Sequence, residues 1–375
     1  MKFADIPGHE DVKAHLRSMA DSGRVPHALL LEGPAGAGKF ALARAFARYI
    51  HCTGRRPGDT DSCGCCASCR QHDAFNHIDT VYCFPVVKKG GKPALSDDYI
   101  GEFRDFMAAS PFMDFDRWLR ALDNINAQPQ IYVEEGNHLL HRLTYMARQS
   151  SHKVVLLWLP ERLKEETANK LLKLVEEPYG DTVFVMVSDA QRRILGTIYS
   201  RTQRVGVKAY SDGEIVSILA GKGVSADAAA GIAAIAEGNV NKALQLAEVS
   251  EERMRCLDLF IQLMRKAYAR KVGELRQWSA DAASLGREPL MQFIDYSTRL
   301  IRESLMMHLR DSSLLTLDRD ECAFVSKFFP FINEKNVIDM TDLFDKARRD
   351  IAANGNARII LFDLAVRIII LIRRK

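Results

Sequence analysis

The chain has 375 residues, 47% of them apolar and 27% charged, which places it among ordinary globular proteins with room for two or three domains. Its 52 basic and 48 acidic residues interleave without a long basic run, so a net charge of +4 is weak evidence for a nucleic-acid partner. The N-terminus lacks the apolar core of a secretion signal, and the longest apolar tract, 359–372, contains Asp363 and Arg367 and falls short of the ~20 residues that cross a bilayer; a cytoplasmic protein with no membrane association is expected.

In chain order, Ala28-Leu29-Leu30-Leu31 predicts a short buried strand, and Leu42, Phe46 and Ile50 recur like the packed face of a helix. Between them runs Gly33-Pro34-Ala35-Gly36-Ala37-Gly38-Lys39, a phosphate-binding loop complete up to its lysine. Backbone N–H groups of such a loop cradle phosphates, the lysine reaches the outer ones, and the following Ser or Thr hydroxyl holds Mg²⁺. Gly33, Gly36, Gly38 and Lys39 are therefore candidate nucleotide contacts, but the hydroxyl position is Phe40, which has no oxygen to give a metal. A chain shaped to hold phosphates yet poorly equipped to hydrolyse is expected, with no Mg²⁺ site and with ATP or ADP binding left open.

Most of the eight cysteines lie between Cys52 and Cys69. Cys63, Cys66 and Cys69 form C-x2-C-x2-C, and Cys52 completes four thiolates, a set that closes a tetrahedral structural Zn²⁺ site in a reducing compartment. Cys65 is the spare, and the spacing alone leaves open whether it replaces Cys63 or Cys66. Cys83, Cys256 and Cys322 are scattered and read as ordinary thiols.

Residues 88–130, between a strand expected at His77-Ile78-Asp79 and the Ile131-Tyr132-Val133 segment, form a stretch whose role is not readable from residue types; Gly90-Gly91-Lys92-Pro93 predicts a flexible turn, and the aromatic run from Phe103 to Trp118 predicts helices packed on the core. Strands follow at Val154–Leu159 and Val183–Val187, with 160–178 between them read as one helix presenting Ala168, Leu171, Leu172 and Val175 on a face. Ser211 and Glu214 have the capping-box spacing, and the alanine-rich run to Val249 predicts a small helical domain. Beyond Glu251, helical spacing of Leu257, Phe260, Ile261 and Met264 predicts an all-α remainder whose last tract, 359–372, is buried within its own domain or between subunits.

Taken together, His27–Leu31, the loop, the Cys-x10-Cys-x2-Cys-x2-Cys module, His77-Ile78-Asp79 and Ala168–Pro178 resemble the AAA+ clamp-loader family of bacterial DNA polymerase III, as far along the chain as Leu244. The resemblance implies an α/β fold: an AAA+ P-loop core with a parallel sheet flanked by helices over 1–207, carrying a zinc module at 52–69 and the 88–130 stretch as an insertion. It further implies a helical lid at 208–248 and an all-α collar for oligomerisation at 249–375. Implied partners are the gamma/tau and delta subunits in a hetero-oligomeric ring, with primer-template DNA and the sliding clamp reached through that complex.

Departures from the family pattern separate its branches. Motor subunits end the strand at 154–159 with adjacent acids that hold Mg²⁺ and orient water, where this chain has Trp158 and Leu159; Glu161 lies beyond them and cannot fill both roles. Asn241 stands where the lid's phosphate-sensing arginine would be. By contrast Ser200-Arg201-Thr202 resembles the family's Ser-Arg-Cys motif, which implies that Arg201 is an arginine finger acting in trans on a neighbour's ATP site. The pattern points to the delta-prime branch, a non-hydrolysing component of the polymerase holoenzyme with no ATPase activity of its own. An ATP-hydrolysing gamma/tau-type motor and an independent zinc-containing nucleic-acid-binding protein are the alternatives.

Overall fold

The computed structural model describes residues 1–374 apart from 57, 91, 123–127, 146 and 309–318; the turn expected through Gly91 and part of the 88–130 insertion thus lie outside the described residues. The chain divides into two compact units, Met1–Ala247 and Glu248–Lys375.

The first unit is built on five parallel strands, β1 (Ala28–Glu32), β2 (Thr80–Cys83), β3 (Lys153–Trp158), β4 (Thr182–Ser188) and β5 (Gln203–Gly206), in the order β2-β3-β4-β1-β5. The inner strands β1, β3 and β4 are near-continuous apolar runs, polar only at their ends (Glu32, Lys153, Thr182 and Ser188), because both faces of a parallel sheet are covered. Period-2 alternation sends Leu29, Leu31, Leu156, Trp158, Val185 and Val187 into one core and Leu30, Val155, Leu157, Phe184 and Met186 into the other.

The first face is covered by α1 (Glu10–Asp21), α2 (Lys39–His51) and, from the insertion, α4 (Ile100–Ala109) and α5 (Phe115–Ala121); between α2 and α4 in sequence lies the short α3 (Ala67–Asp73), capped by Cys66 and carrying Cys69. The insertion's aromatics lie where their composition suggests: Phe103, Phe106 and Trp118 are buried, and the Trp118 indole donates to the Pro85 carbonyl at 2.8 Å. On the second face sit α6 (Val133–Leu143), α7 (Glu165–Glu176) and the single turn α8 (Gly196–Tyr199).

Two local expectations change. The 160–178 segment is not one helix: Leu159 is left-handed, Pro160–Arg162 forms a 3-10 turn, Leu163 and Lys164 are extended, and the α-helix starts at Glu165. Tertiary pairing overrides helical periodicity here, since Ile131 donates to the Arg162 carbonyl and accepts from Lys164 N–H, bridging Leu163 in parallel. Nor do His77–Asp79 join a strand; β2 starts at Thr80, and the buried Asp79 carboxylate accepts N–H bonds from Arg148, Gln149 and Ser150 at 2.8–3.0 Å.

Within the same unit, α9 (Asp212–Ala220) and α10 (Ala226–Ala236) pack through Ile215, Leu219, Ala229 and Ala233. Ser211 and Glu214 make the reciprocal capping box expected of them. The long helix α11 (Val240–Tyr268) continues into the second unit, which adds α12 (Val272–Ala283), α13 (Arg287–His308), α14 (Arg319–Phe328), α15 (Val337–Ala352) and α16 (Ala357–Leu371). Its core gathers Phe260, Trp278, Phe293, Leu300 and Phe344, and α16 packs Leu361, Leu364, Ala365 and Ile368 into it while Ile359 and Ile370 stay exposed.

Candidate functional site: a phosphate loop and a four-cysteine cluster

Loop 33–38 joins β1 to α2, with Gly36 and Gly38 both left-handed at φ +73° and +74° and Gly38 as the N-cap. A side chain at either position would meet the small helical domain: a Cβ on Gly36 would overlap the Asn239 amide, and one on Gly38 would lie 2.6 Å from the Tyr210 hydroxyl. Val240 N–H donates to the Gly36 carbonyl at 3.2 Å, and the Tyr210 hydroxyl, without a hydrogen-bond partner among the described residues, is buried against the loop. The loop is thus held by the protein's own atoms. Lys39 is likewise engaged: its ammonium donates to the Gly33 carbonyl at 2.9 Å and to that of Pro34, and pairs with Asp189 at 2.7 Å, with the side chain only 2% exposed. Asp189, at the end of β4, is a partner that residue types alone did not single out.

Around the metal-binding end, apolar packing replaces oxygen ligands. Phe40 is 2% exposed and meets Phe103 edge-on and Trp158 at ring distances of 6.2 Å. Trp158 also lies against Phe103, Phe106 and Phe115 at 6.0–6.3 Å, and Leu159 is buried beside it. Glu161 is occupied as well. Its Oε1 accepts the N–H groups of Asp189 and Ala190 at 3.0 and 3.1 Å, closing the end of β4, while its Oε2 is buried without a partner among the described residues and burial raises its pKa. Asn241 donates its amide to the Met113 carbonyl at 2.8 Å, tying α11 to the insertion.

The cysteine set is brought together as the spacing proposes. The Sγ atoms of Cys52, Cys63, Cys66 and Cys69 all lie within 4.8 Å of one another, while Cys65 is exposed and outside the group. Four thiolates at about 2.3 Å from a tetrahedral Zn²⁺ sit about 3.8 Å apart; Cys63 and Cys69 are 3.9 Å apart. The backbone is shaped for thiolates: N–H groups of Cys63, Cys66 and Cys69 donate to Cys52, Cys63 and Cys66 sulfurs at 3.2, 3.4 and 3.4 Å. Burial opposes ionisation of Cys66, the N-cap of α3, but the Cys69 N–H and the Thr53 groups outweigh it and hold its pKa at about 5. Backbone N–H groups of Cys65 and Cys66 lower Cys63, whereas burial pushes Cys52 up to about 12 and raises Cys69 against the pull of Arg48. The donors can hold a metal ion, and their sulfur-only chemistry suits zinc.

Behind this cluster lie three buried histidines that motif reading missed, because they are spread over α2, α3 and the loop before β2. His77 Nδ1 accepts from Asp79 N–H at 3.2 Å, so its protonated Nε2 donates to Ser68 at 3.0 Å. His51 Nε2 faces the His152 carbonyl at 3.0 Å, which leaves Nδ1 to accept from His72 Nε2–H at 3.0 Å. Burial depresses all three, His51 to about 3. In this arrangement the trio is neutral and hydrogen-bonded, and its ring nitrogens, all within 4.8 Å of one another, form a second group that could hold a metal ion.

Arg201 lies between α8 and β5. Its guanidinium is exposed, pairs with Glu176 and donates to the Thr197 carbonyl at 2.9 Å, and no other candidate site residue is near it in these contacts.

A family model described as DNA polymerase III, delta subunit, matches residues 8–211. Among curated relatives, the delta' subunit of DNA polymerase III from Pseudomonas aeruginosa is 32% identical over 175 residues, covering 47% of this chain and 41% of that protein. The Haemophilus influenzae delta' subunit is 30% identical, over 49% of this chain and 43% of that one, and the gamma/tau subunit of Mycobacterium bovis 29% identical, over 53% and 27%. The chain therefore spans less than half of the length of these relatives. A solved gamma subunit-related protein from Thermotoga maritima overlays 96% of this chain and 99% of its own, at a TM-score of 0.34 and 13% identity.

Proposed function

The chain belongs to the DNA polymerase III delta-subunit family, and from that premise we propose that it is a non-hydrolysing, delta-prime-type subunit of a clamp loader. The observation that carries this reading is the aromatic packing of Phe40 and Trp158 at the two positions from which a phosphate-loop ATPase holds Mg²⁺. Mg²⁺ takes oxygen ligands in near-octahedral geometry, and this end of the site presents ring carbons. Lys39, paired with Asp189, has its charge spent inside the fold. These features favour the non-hydrolysing reading over a gamma/tau-type motor.

In this role the chain sits in a hetero-oligomeric ring with gamma/tau-type and delta subunits in the cytoplasm and reaches the sliding clamp and primer-template DNA through them. Its all-α unit serves as the collar, its four cysteines hold a structural Zn²⁺, and Arg201 completes a neighbour's ATP site. The ion pair with Glu176 is no obstacle, because exposed pairs of this kind contribute about 0–1 kcal/mol and release readily. The test is twofold. The purified chain should release no phosphate from Mg-ATP above background, and it should co-assemble with gamma/tau-type and delta subunits into one species in native mass measurement. Turnover that vanishes in Lys39→Ala, or failure to join the other subunits, would sink the proposal.

A further inference from the structure

The three positions where catalytic groups are missing converge on one segment, residues 99–122 of the insertion. Phe40, in place of the hydroxyl, packs on Phe103 at 6.2 Å. Trp158, in place of an acid, packs on Phe103, Phe106 and Phe115. Asn241, in place of the sensing arginine, donates to the Met113 carbonyl at 2.8 Å from a position only 8% exposed. Phe112 extends the same contact: its ring meets Tyr210 edge-on at 6.3 Å and lies 3.6 Å from the Cβ that Gly38 lacks. The Phe112-Met113 turn thus touches the phosphate loop, Tyr210 and the start of α11 together, and Arg162 covers Phe115 at 3.9 Å from the opposite side.

We propose that residues 99–122 are a built-in substitute for bound nucleotide, a strap that joins the 208–247 helical domain to the sheet through the same three positions that ATP and its metal would bridge. Independent loss of three catalytic side chains would leave unrelated substitutions facing solvent or one another. Here each replacement is complementary to its counterpart in the strap: a phenyl edge for a phenyl face, an indole for three rings, an amide N–H for a turn carbonyl. The consequence is a helical domain held in one arrangement regardless of nucleotide.

The inference builds on the non-hydrolysing reading but is tested without it, by hydrogen exchange on the full chain. In Phe112→Ala with Asn241→Ala, amides of α9 and α10 should exchange about tenfold faster or more, with those of β1, β3 and β4 unchanged. Asn241→Ala alone removes only the amide and reports in the same direction should the double variant fold poorly. Adding millimolar Mg-ATP or Mg-ADP to the unaltered chain should leave protection of α9 and α10 unchanged. Unchanged exchange in both variants, equal loss over the sheet, or protection conferred by nucleotide would each overturn the strap. ATP turnover by the isolated chain would instead sink the proposed function, so the two failures are distinct.

Discussion

Phe40→Ser restores the hydroxyl that a phosphate loop uses for Mg²⁺, and it should damage the protein without reviving it. Phe40 is 2% exposed and sits between Phe103 and Trp158. Truncating a buried phenylalanine typically costs 3–5 kcal/mol, of which the residual cavity is a part, and a hydroxyl left without a partner in that cavity adds about 1 kcal/mol or more. A loss of about 4 kcal/mol in the first unit is expected. The reporter can be made specific, since Trp118 and Trp158 lie in Met1–Ala247 and Trp278 in Glu248–Lys375. In a Trp278→Phe background, urea unfolding followed by tryptophan fluorescence reads the first unit alone. No ATPase activity should appear, because Trp158 and Leu159 still offer no oxygen to a metal. A destabilisation below about 1 kcal/mol, or measurable phosphate release, would refute the argument that this position has become part of an aromatic core.

Metal analysis of protein purified without chelator should find about one zinc per chain; Cys66→Ser with Cys69→Ser should abolish it and Cys65→Ser should not, and retention in the former would exclude the four-cysteine assignment. Burial raises Glu135 from 4.5 to about 7 while its Oε2 accepts Ser96 N–H at 2.7 Å. A carboxyl with a raised folded pKa binds its proton more tightly when folded, so its contribution is full below pH ~4.5 and is lost as pH rises towards ~7, by about 3 kcal/mol. Glu135→Gln should flatten that slope and be the more stable chain at pH 8; an unaltered slope would be contrary. In a reconstituted loader, Arg201→Ala should leave assembly intact and lower clamp-stimulated ATP hydrolysis, with Arg201→Lys a poor rescue because the planar fork is lost. Hydrolysis at the unmodified rate would remove the finger role.

How much of this was legible depends on whether a residue's partners lie near it in sequence. The phosphate loop announces itself because its glycines, lysine, strand and helix are contiguous, and the cysteine module because three ligands share one turn spacing. Cys65 reads as the spare from spacing, but spacing could not exclude its replacing Cys63 or Cys66; that turns on Cys66 capping α3 while Cys65 is exposed, a matter of backbone direction. Phe40, Trp158 and Asn241 were visible as departures, yet only as losses, since their partners Phe103, Phe115 and Met113 belong to an insertion with no motif of its own. The 160–178 segment misled for a related reason. Its helical periodicity is real from Glu165, but the pairing of Leu163 with Ile131, a contact between distant positions, sets where the helix begins. The histidine trio was invisible because three elements supply it.

A nucleotide-driven subunit changes shape because its ligand binds one arrangement better than another, and the shift can be no larger than that difference in affinity. If the proposed strap ties the helical domain to the sheet through Asn241, Met113, Phe112 and Tyr210, the chain has no such ligand-dependent difference to exploit. On the proposed reading, losing hydrolysis and gaining the strap are one adaptation seen from two sides, since any oxygen ligand restored at position 40 or 158 would be an unpaired polar group inside the aromatic cluster. Arg201 escapes this constraint. It is exposed between α8 and β5, outside that cluster, so the proposed use by a neighbouring subunit is compatible with an aromatic-filled site in this chain. On the proposed reading, a fixed subunit that presents a guanidinium to a moving one is what the retained arginine and the filled pocket have in common.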